Sequence, residues 1–274
     1  MKNILETILD QKRLEIAALD APALRRAAES APAPRDFLTA VSRRRNNLPP
    51  ALIAELKRAS PSKGILAPHL DLFQVAEIYT QNGAAAISVL TDEKFFQGSL
   101  TTLRELRARN LTPDTSHLAL PLLRKDFIID EAQIYEARAN SADAILLIAA
   151  ALPDDTHFAA LHACALSLGL TALVEVHDEA ETERALRING VRLIGINNRN
   201  LSSFEVSLAT TERLRPLIPA GITVVAESGI FSADDVSRLQ KADIDAILVG
   251  EALVTAPDIA AKVRELSGTS PQSS

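Results

Sequence analysis

Leu120-Pro121-Leu122-Leu123-Arg124-Lys125-Asp126-Phe127 is an apolar run that passes directly into charged residues. A run this short, without polar alternation, reads as a strand covered on both faces, and its polar end as the point where that strand leaves the core. The design recurs along the chain. Ala51 to Leu56 enters Lys57, with Glu55 two residues earlier. Leu173 and Val174 lead to Glu175, Leu193 to Ile196 lead to Asn197 and Arg199, Val224 to Ala226 lead to Glu227, and Ala246 to Val249 lead to Gly250. Reactive residues repeated at strand ends point to one site assembled from many strands.

Working outward, apolar runs rich in β-branched residues begin near 51, 85, 120, 144, 171, 192, 222 and 245. Between them lie helical periodicities over Leu72 to Asn82, Glu131 to Asn140, Asp154 to Leu168, Glu179 to Asn189 and Ala233 to Lys241, several ending at a capping glycine such as Gly83, Gly169 or Gly190. Alternating strands and helices imply a parallel sheet with right-handed crossovers. Eight such units close into a barrel, which removes the sheet edges and gathers all C-terminal strand ends on one rim. An open doubly wound sheet is the rival, but neither GxGxxG nor GxxxxGK[ST] occurs. The expected fold is therefore α/β, a (βα)8 TIM barrel with an N-terminal helical extension.

One domain is expected over residues 1–266, with the extension at 1–48 and the barrel at 49–266. Within the extension, Ile4 to Leu19 and Phe37 to Arg45 read as helices, while Pro22, Pro32 and Pro34 break the stretch between them. The small polar residues 267–274 read as a disordered tail.

The chain has 274 residues, 47% hydrophobic and 23% charged, with a net charge of -6. Nucleic acid is not an expected partner, because backbone binding needs a concentrated basic surface and Arg43-Arg44-Arg45 reads as a solvated helix end. Lys2, Glu6, Asp10, Lys12 and Arg13 interrupt any apolar signal core, and the longest apolar run, Ala144 to Leu152, is well short of the ~20 residues of a membrane span. Cys164 has no cysteine partner and reads as a small buried helix residue. A cytoplasmic location follows as the expectation. No metal is expected, since His157 and His162 would lie about 140° apart around a helix. His69 and His117 fall in loops.

Residues two apart on a strand share a face. Glu55 with Lys57, Leu123 with Lys125 and Phe127, Glu175 with His177, and Asn197 with Arg199 would thus all face the barrel mouth. Ion pairs that merely cap the barrel are the alternative to a catalytic rim. His177 reads as a packing or supporting residue near that rim. Ser228-Gly229 and Gly250-Glu251 follow the last two strands, where barrel enzymes frequently bind phosphate through backbone N–H groups, and Ser232 with Asp235 forms a capping box behind the first pair.

Longer motifs carry a family resemblance. They are Glu55-Leu56-Lys57-Arg58-Ala59-Ser60-Pro61-Ser62, Ser88-Val89-Leu90-Thr91-Asp92 with Phe96 and Gly98-Ser99, and Leu123-Arg124-Lys125-Asp126-Phe127-Ile128. Leu173-Val174-Glu175-Val176-His177, Gly195-Ile196-Asn197-Asn198-Arg199-Asn200, Ala226-Glu227-Ser228-Gly229-Ile230 and Val249-Gly250-Glu251-Ala252-Leu253 complete the set. With these, the chain resembles the indole-3-glycerol phosphate synthases to about residue 265.

The resemblance implies ring closure, decarboxylation and dehydration of 1-(2-carboxyphenylamino)-1-deoxyribulose 5-phosphate, without metal or organic cofactor. It implies Lys125 as general acid, Glu175 as general base and Lys57 as a second acid or carboxylate partner. Glu55, Asn197, Arg199, Glu227 and Ser228 would orient substrate and lysines. Phe127, Phe96 and Leu146 would enclose the aromatic ring, and Ser60, Gly229, Gly250 and the amide of Glu251 would receive phosphate. Glu251 departs from members with a small hydroxyl residue there, so only its backbone is carried over. Thr112 to His117 reads as a surface insertion facing away from the site. The expected partners are the anionic sugar-phosphate substrate and, unspecified, other tryptophan-pathway enzymes.

Other readings are imine chemistry on a barrel lysine, a silent phosphate-binding barrel and an interaction platform. The related isomerase of the same pathway would want a cysteine and an aspartate as acid and base, whereas the first strand here ends in Lys57.

Overall fold

The computed structural model describes residues 4–42, 48–60, 64–65, 70–109, 119–200 and 204–270. The readings made at Arg43-Arg44-Arg45, Pro61, Ser62, His69, Thr112 to His117 and residues 271–274 lie outside them. Eight parallel strands form a closed barrel: β1 (Ala51–Leu56), β2 (Ala84–Leu90), β3 (Leu122–Lys125), β4 (Ala144–Ile148), β5 (Thr171–Val176), β6 (Leu193–Asn197), β7 (Thr223–Glu227) and β8 (Ala246–Val249). Neighbours in the chain are neighbours in the barrel, and β8 closes on β1 with Ala51 opposite Ala246.

The pleat divides every strand between two cores. Ile53, Ala86, Leu123, Leu146, Leu173, Leu193, Val225 and Leu248 fill the barrel interior. Their neighbours Leu52, Ile87, Leu122, Ile145, Val174, Ile194, Val224 and Ile247 join the larger core under the helices. Because both faces are apolar, the strands carry no polar alternation until their C-terminal ends. Two residues beyond each interior side chain stands the next inward position: Glu55 after Ile53, Lys125 after Leu123, Glu175 after Leu173, Glu227 after Val225. A one-residue slip of register would turn this whole set toward the helices.

Residues 4–42 reach both ends of the barrel. Helix α1 (Ile4–Ala17) lies over the C-terminal mouth, where Ile4, Leu5 and Ile8 face the cavity. At the other end α3 (Phe37–Val41) plugs the floor with the fully buried Phe37 and Val41, and Ser42 Oγ meets Thr223 Oγ at 2.9 Å at the start of β7. Asp143 holds the approach to this plug, accepting from the Arg35 N–H at 2.6 Å and the Leu122 N–H at 2.7 Å.

Several expectations for the flanks are corrected. The stretch expected to be broken is a helix, α2 (Ala21–Ser30), because Pro22 sits in its first turn, where a missing N–H is harmless, and Asp20 caps it by accepting from the Ala23 N–H at 3.0 Å. Helix α3 stops at Val41 because Ser42 turns extended. The last helix, Ile259–Ser267, runs into the expected tail; Gly268 closes it in the left-handed region and the Thr269 N–H donates to Arg264 O at 3.1 Å. Cys164 is half-buried rather than buried. The helix after β7, Ala233–Lys241, opens with the expected Ser232–Asp235 capping box.

Candidate active site

The inward strand ends converge on one cavity at the C-terminal mouth. Glu55, Lys57, Phe96, Lys125, Phe127, Leu146, Glu175, Asn197, Arg199, Glu227, Ser228, Gly229, Gly250 and Glu251 all line it. Ser60 is described by its backbone alone, which pairs with Gly64 in a two-residue antiparallel ladder after β1. Its expected phosphate contact therefore lies outside what is described.

Lys125 is the centre of the charged half. Its Nζ lies 3.3 Å from Glu227 Oε2 and 3.4 Å from Glu175 Oε2. Burial works against an ammonium here, but Glu227, Glu175 and Glu55 outweigh it and hold Lys125 in its charged form, well above the ordinary lysine range. Lys57 sits further out, with Nζ 3.5 Å from Glu55 Oε1.

The two carboxylates beside Lys125 are chemically unequal although they are almost equidistant from it. Glu175 also accepts from Asn197 Nδ2 at 3.2 Å and has His177 Nε2 3.3 Å from its Oε1. Burial opposes its charge, yet Lys125, His177 and Asn197 together hold its carboxyl well below the usual range. Glu227 lacks those extra donors, and its Oε1 is buried with no hydrogen-bond partner. Burial therefore dominates, with Glu175 and Glu55 adding to it and Lys125 opposing, and the Glu227 carboxyl is pushed up to about 8. Neighbouring carboxyls driven apart in this way supply an ionised base and a proton-bearing acid at one pH.

Small residues make room for these groups. A Cβ on Gly195 would collide with Glu227 Oε1, and one on Gly250 would come within 2.5 Å of Glu55 Oε1. Gly229 has φ +78 and lies against Val206, while Ser228 before it also occupies the left-handed region at φ 67. The chain thus turns sharply after β7, and Asn198 Nδ2 holds the turn by donating to Ser228 O at 3.2 Å. The Arg199 N–H donates to Asn197 Oδ1 at 3.0 Å, which fixes the amide that faces Glu175.

The opposite wall is apolar. Phe96 and Phe127 lie with ring centroids 6.0 Å apart and planes 37° from parallel, close to Leu146, Leu248 and the Leu5 and Ile8 of α1. Phe96 is placed by Asp92, whose Oδ1 caps the short helix Glu93–Phe96 by accepting from the Phe95 and Phe96 N–H groups. An aromatic slot on one side and an acid-base cluster on the other suit a substrate with one flat apolar end and one reactive polar centre.

Sequence reasoning missed the charged cluster that seats α1. Lys12, buried to 2% exposure, directs its ammonium at Glu15 at 2.9 Å, Asp92 at 2.8 Å and Asp126 at 2.9 Å. Asp126 in turn accepts from Thr91 Oγ at 2.6 Å, from Arg124 at 3.1 Å and from the Phe127 N–H at 2.8 Å. A local signal was available: Lys12 is four residues after Ile8 and so occupies the buried stripe of α1.

The chain matches the family model described as indole-3-glycerol phosphate synthase over residues 5–266. A relative of that name from Roseiflexus sp. (strain RS-1) is 53% identical over 279 residues, covering 98% of this chain and 100% of its own. Another from Polaromonas naphthalenivorans (strain CJ2) is 48% identical over 272 residues, with 98% and 100% covered. Among solved structures, a 3-hexulose-6-phosphate synthase from Salmonella typhimurium superposes with a TM-score of 0.61 at 14% identity, over 80% of this chain and 97% of that one. A thiamine phosphate pyrophosphorylase from Pyrococcus furiosus gives 0.57 at 19%, over 80% and 94%. Those two share the barrel fold. The sequence relatives go further, and the chain belongs to the indole-3-glycerol phosphate synthase family.

Proposed function

We infer that this chain catalyses the indole-3-glycerol phosphate synthase reaction of tryptophan biosynthesis, a carboxy-lyase reaction that turns 1-(2-carboxyphenylamino)-1-deoxyribulose 5-phosphate into indole-3-glycerol phosphate, carbon dioxide and water. The observation that carries the residue roles is Lys125 set between an ionised Glu175 and a proton-bearing Glu227 beside an aromatic slot.

The product has lost the ring carboxylate, so the aryl carbon that bore it is the one that attacks the ketone. Negative charge develops on the ketone oxygen, and the Lys125 ammonium stands ready to protonate it. Carbon dioxide then leaves and the ring regains its aromaticity. Dehydration removes the new hydroxyl as water and a proton from the adjacent carbon; Glu175 takes the proton, and Lys57 assists the departing hydroxyl or holds the substrate carboxylate before it leaves. Asn197 and Arg199 orient Glu175, Glu227 serves as the proton reservoir beside Lys125, and Glu55 holds Lys57. Phe96, Phe127 and Leu146 clasp the aromatic ring. The backbone at Gly229, Gly250 and Glu251, with Ser228 and Ser60, receives the phosphate.

The extension and barrel act in this reading as one catalytic unit over 1–266, since α1 supplies the roof. No helix among the described residues is long and apolar enough to cross a membrane, and the cytoplasm is the proposed compartment. The deciding experiment is turnover of synthetic substrate by the purified protein in excess chelator. The chain has no tryptophan and two tyrosines, so indole emission from product rises over a dark background. Absence of turnover by folded protein overturns the reading.

A further inference from the structure

His177 belongs to a recognised motif, but the acid-base scheme leaves it without a task. It lies just past the end of β5, two residues beyond Glu175, and bridges two carboxylates. Its Nε2 is 3.3 Å from Glu175 Oε1 and its Nδ1 is 3.0 Å from Glu181 Oε2. The His177 backbone N–H donates to the same Glu181 oxygen at 2.8 Å. Glu181 is itself fixed, since its N–H donates to Asp178, the cap of helix Glu179–Leu186, at 2.8 Å. The imidazole side chain is only 12% exposed and Glu175 only 2%.

This geometry decides the protonation state. A neutral imidazole has one N–H and one lone pair, so one ring nitrogen would press its lone pair against a carboxylate oxygen. An imidazolium donates to Glu181 through Nδ1 and sets its charge 3.3 Å from Glu175 Oε1, although the buried Nε2 makes no hydrogen bond. Burial opposes that charge, but Glu175 and Glu181 overcome it and push the ring up to about 10.

We propose that His177 is a positioning residue for the proton-abstraction step: clamped by Glu181, its ring charge joins the Asn197 amide in drawing Oε1 of Glu175 to one side, so that Oε2 is left facing Lys125 and the substrate. This rests on the reading of Glu175 as the general base. The other charged groups bearing on Glu175 are Lys125 from β3 and Glu227 from β7, with Glu55 of β1 acting on both; Glu181 is the counter-charge on the far side of the ring. Removing the imidazolium takes away one of the two cations that keep Glu175 ionised and leaves its Oε1 to Asn197 Nδ2 alone.

The test compares His177→Asn, Glu181→Gln and Glu175→Gln with the unaltered protein, measuring kcat, KM and the acid limb of the kcat–pH profile, with a thermal melt on each. For His177→Asn, kcat falls roughly tenfold while KM stays within about threefold, as expected when a proton-transfer geometry is lost and binding is kept. Its acid limb moves up by about one pH unit, because Glu175 protonates more readily. Glu181→Gln keeps the ring, leaves it unanchored and gives a smaller change in the same direction, which serves as the readout if His177→Asn does not fold. An inactive Glu175→Gln beside folded His177→Asn and Glu181→Gln with unchanged kcat and acid limb overturns the positioning role alone. Full turnover by Glu175→Gln overturns the base assignment, and the role of His177 falls with it.

Discussion

Lys12 on the first helix and Asp126, the residue immediately after Lys125, form a buried ion pair at 2.9 Å across more than a hundred positions of chain. The Lys12 ammonium donates to Glu15 and sits within 2.9 Å of two further carboxylates, Asp92 and Asp126. The pair ties the roof of the cavity to the strand end that carries the central lysine.

Lys12→Met should therefore cost more than a surface lysine would. Removing one partner of a buried pair leaves uncompensated carboxylates, a penalty of about 3–5 kcal/mol. Denaturant unfolding measures it, and a rise in KM with a smaller change in kcat accompanies it, since Ile4, Leu5 and Ile8 ride on the same helix. A melt indistinguishable from that of the unaltered protein is the contrary result. Acid acts on the same joint: Lys12, Arg124 and Thr91 together hold the Asp126 carboxyl below its ordinary range against burial. Its contribution is present above the ordinary carboxylate range and is lost as pH falls through the depressed folded-state value, so Asp126→Asn flattens the acid limb of stability.

Glu227 predicts the opposite pH dependence. Its folded-state carboxyl titrates at about 8 against 4.5 for the free group, so the folded chain binds a proton that the unfolded chain has released. Stability from this site is full below 4.5 and declines as pH rises to about 8. Glu227→Gln keeps the protonated shape, removes that decline and raises the melting temperature most at pH 9. Glu227→Ala shares the flat pH response but opens a cavity and melts lower. Equal pH slopes in Glu227→Gln and the unaltered protein count against a proton-bearing Glu227.

The charge on Lys125 separates acid-base catalysis from imine formation. A nucleophilic lysine must be neutral, whereas the acidic groups around this one, with the ionised Glu175 in contact at 3.4 Å, keep it protonated. Borohydride added during turnover should leave the protein mass unchanged. Lys125→Met should lower kcat by about 10² or more, the usual scale for a positioned general acid. A reduced covalent adduct on Lys125 would reverse the assignment.

How much of this was legible before folding follows from the range of each interaction. The strand ends were readable because a buried parallel strand shows its apolar run in the local sequence, and the period of two then puts Glu55 with Lys57 and Leu123 with Lys125 on one face. The α2 helix is hidden in the sequence because a proline reads as a breaker unless the helix start is known, and Pro22 is only the second helical residue. The unequal state of Glu175 and Glu227 could not be read from two similar strand ends, since it depends on donors brought in from β6 and from the loop after β5. The Lys12 cluster needed residues 12, 92 and 126 to meet, and only the closed barrel sets that distance.

Gly229 offers a test of the proposed phosphate half that leaves the proposed acid-base half in place. Its φ of +78 is costly for any residue with a Cβ, and that Cβ would also strike Val206 in the loop after β6. Gly229→Ala should therefore push the turn after β7 away from Val206 and misplace its backbone N–H, at a stability cost of about 1–2 kcal/mol. If that N–H holds phosphate in ground state and transition state alike, KM rises while kcat changes little, the pattern of a lost uniform binding contact. Inorganic phosphate supplies a second reading: it should compete weakly with substrate in the unaltered protein and more weakly still in the variant, in step with KM. Adding Val206→Ala removes the steric part and leaves the torsional part, so the double variant should recover some of the lost binding but not all. A fall in kcat at constant KM would instead mean that the turn serves Glu227, two residues upstream, rather than the phosphate.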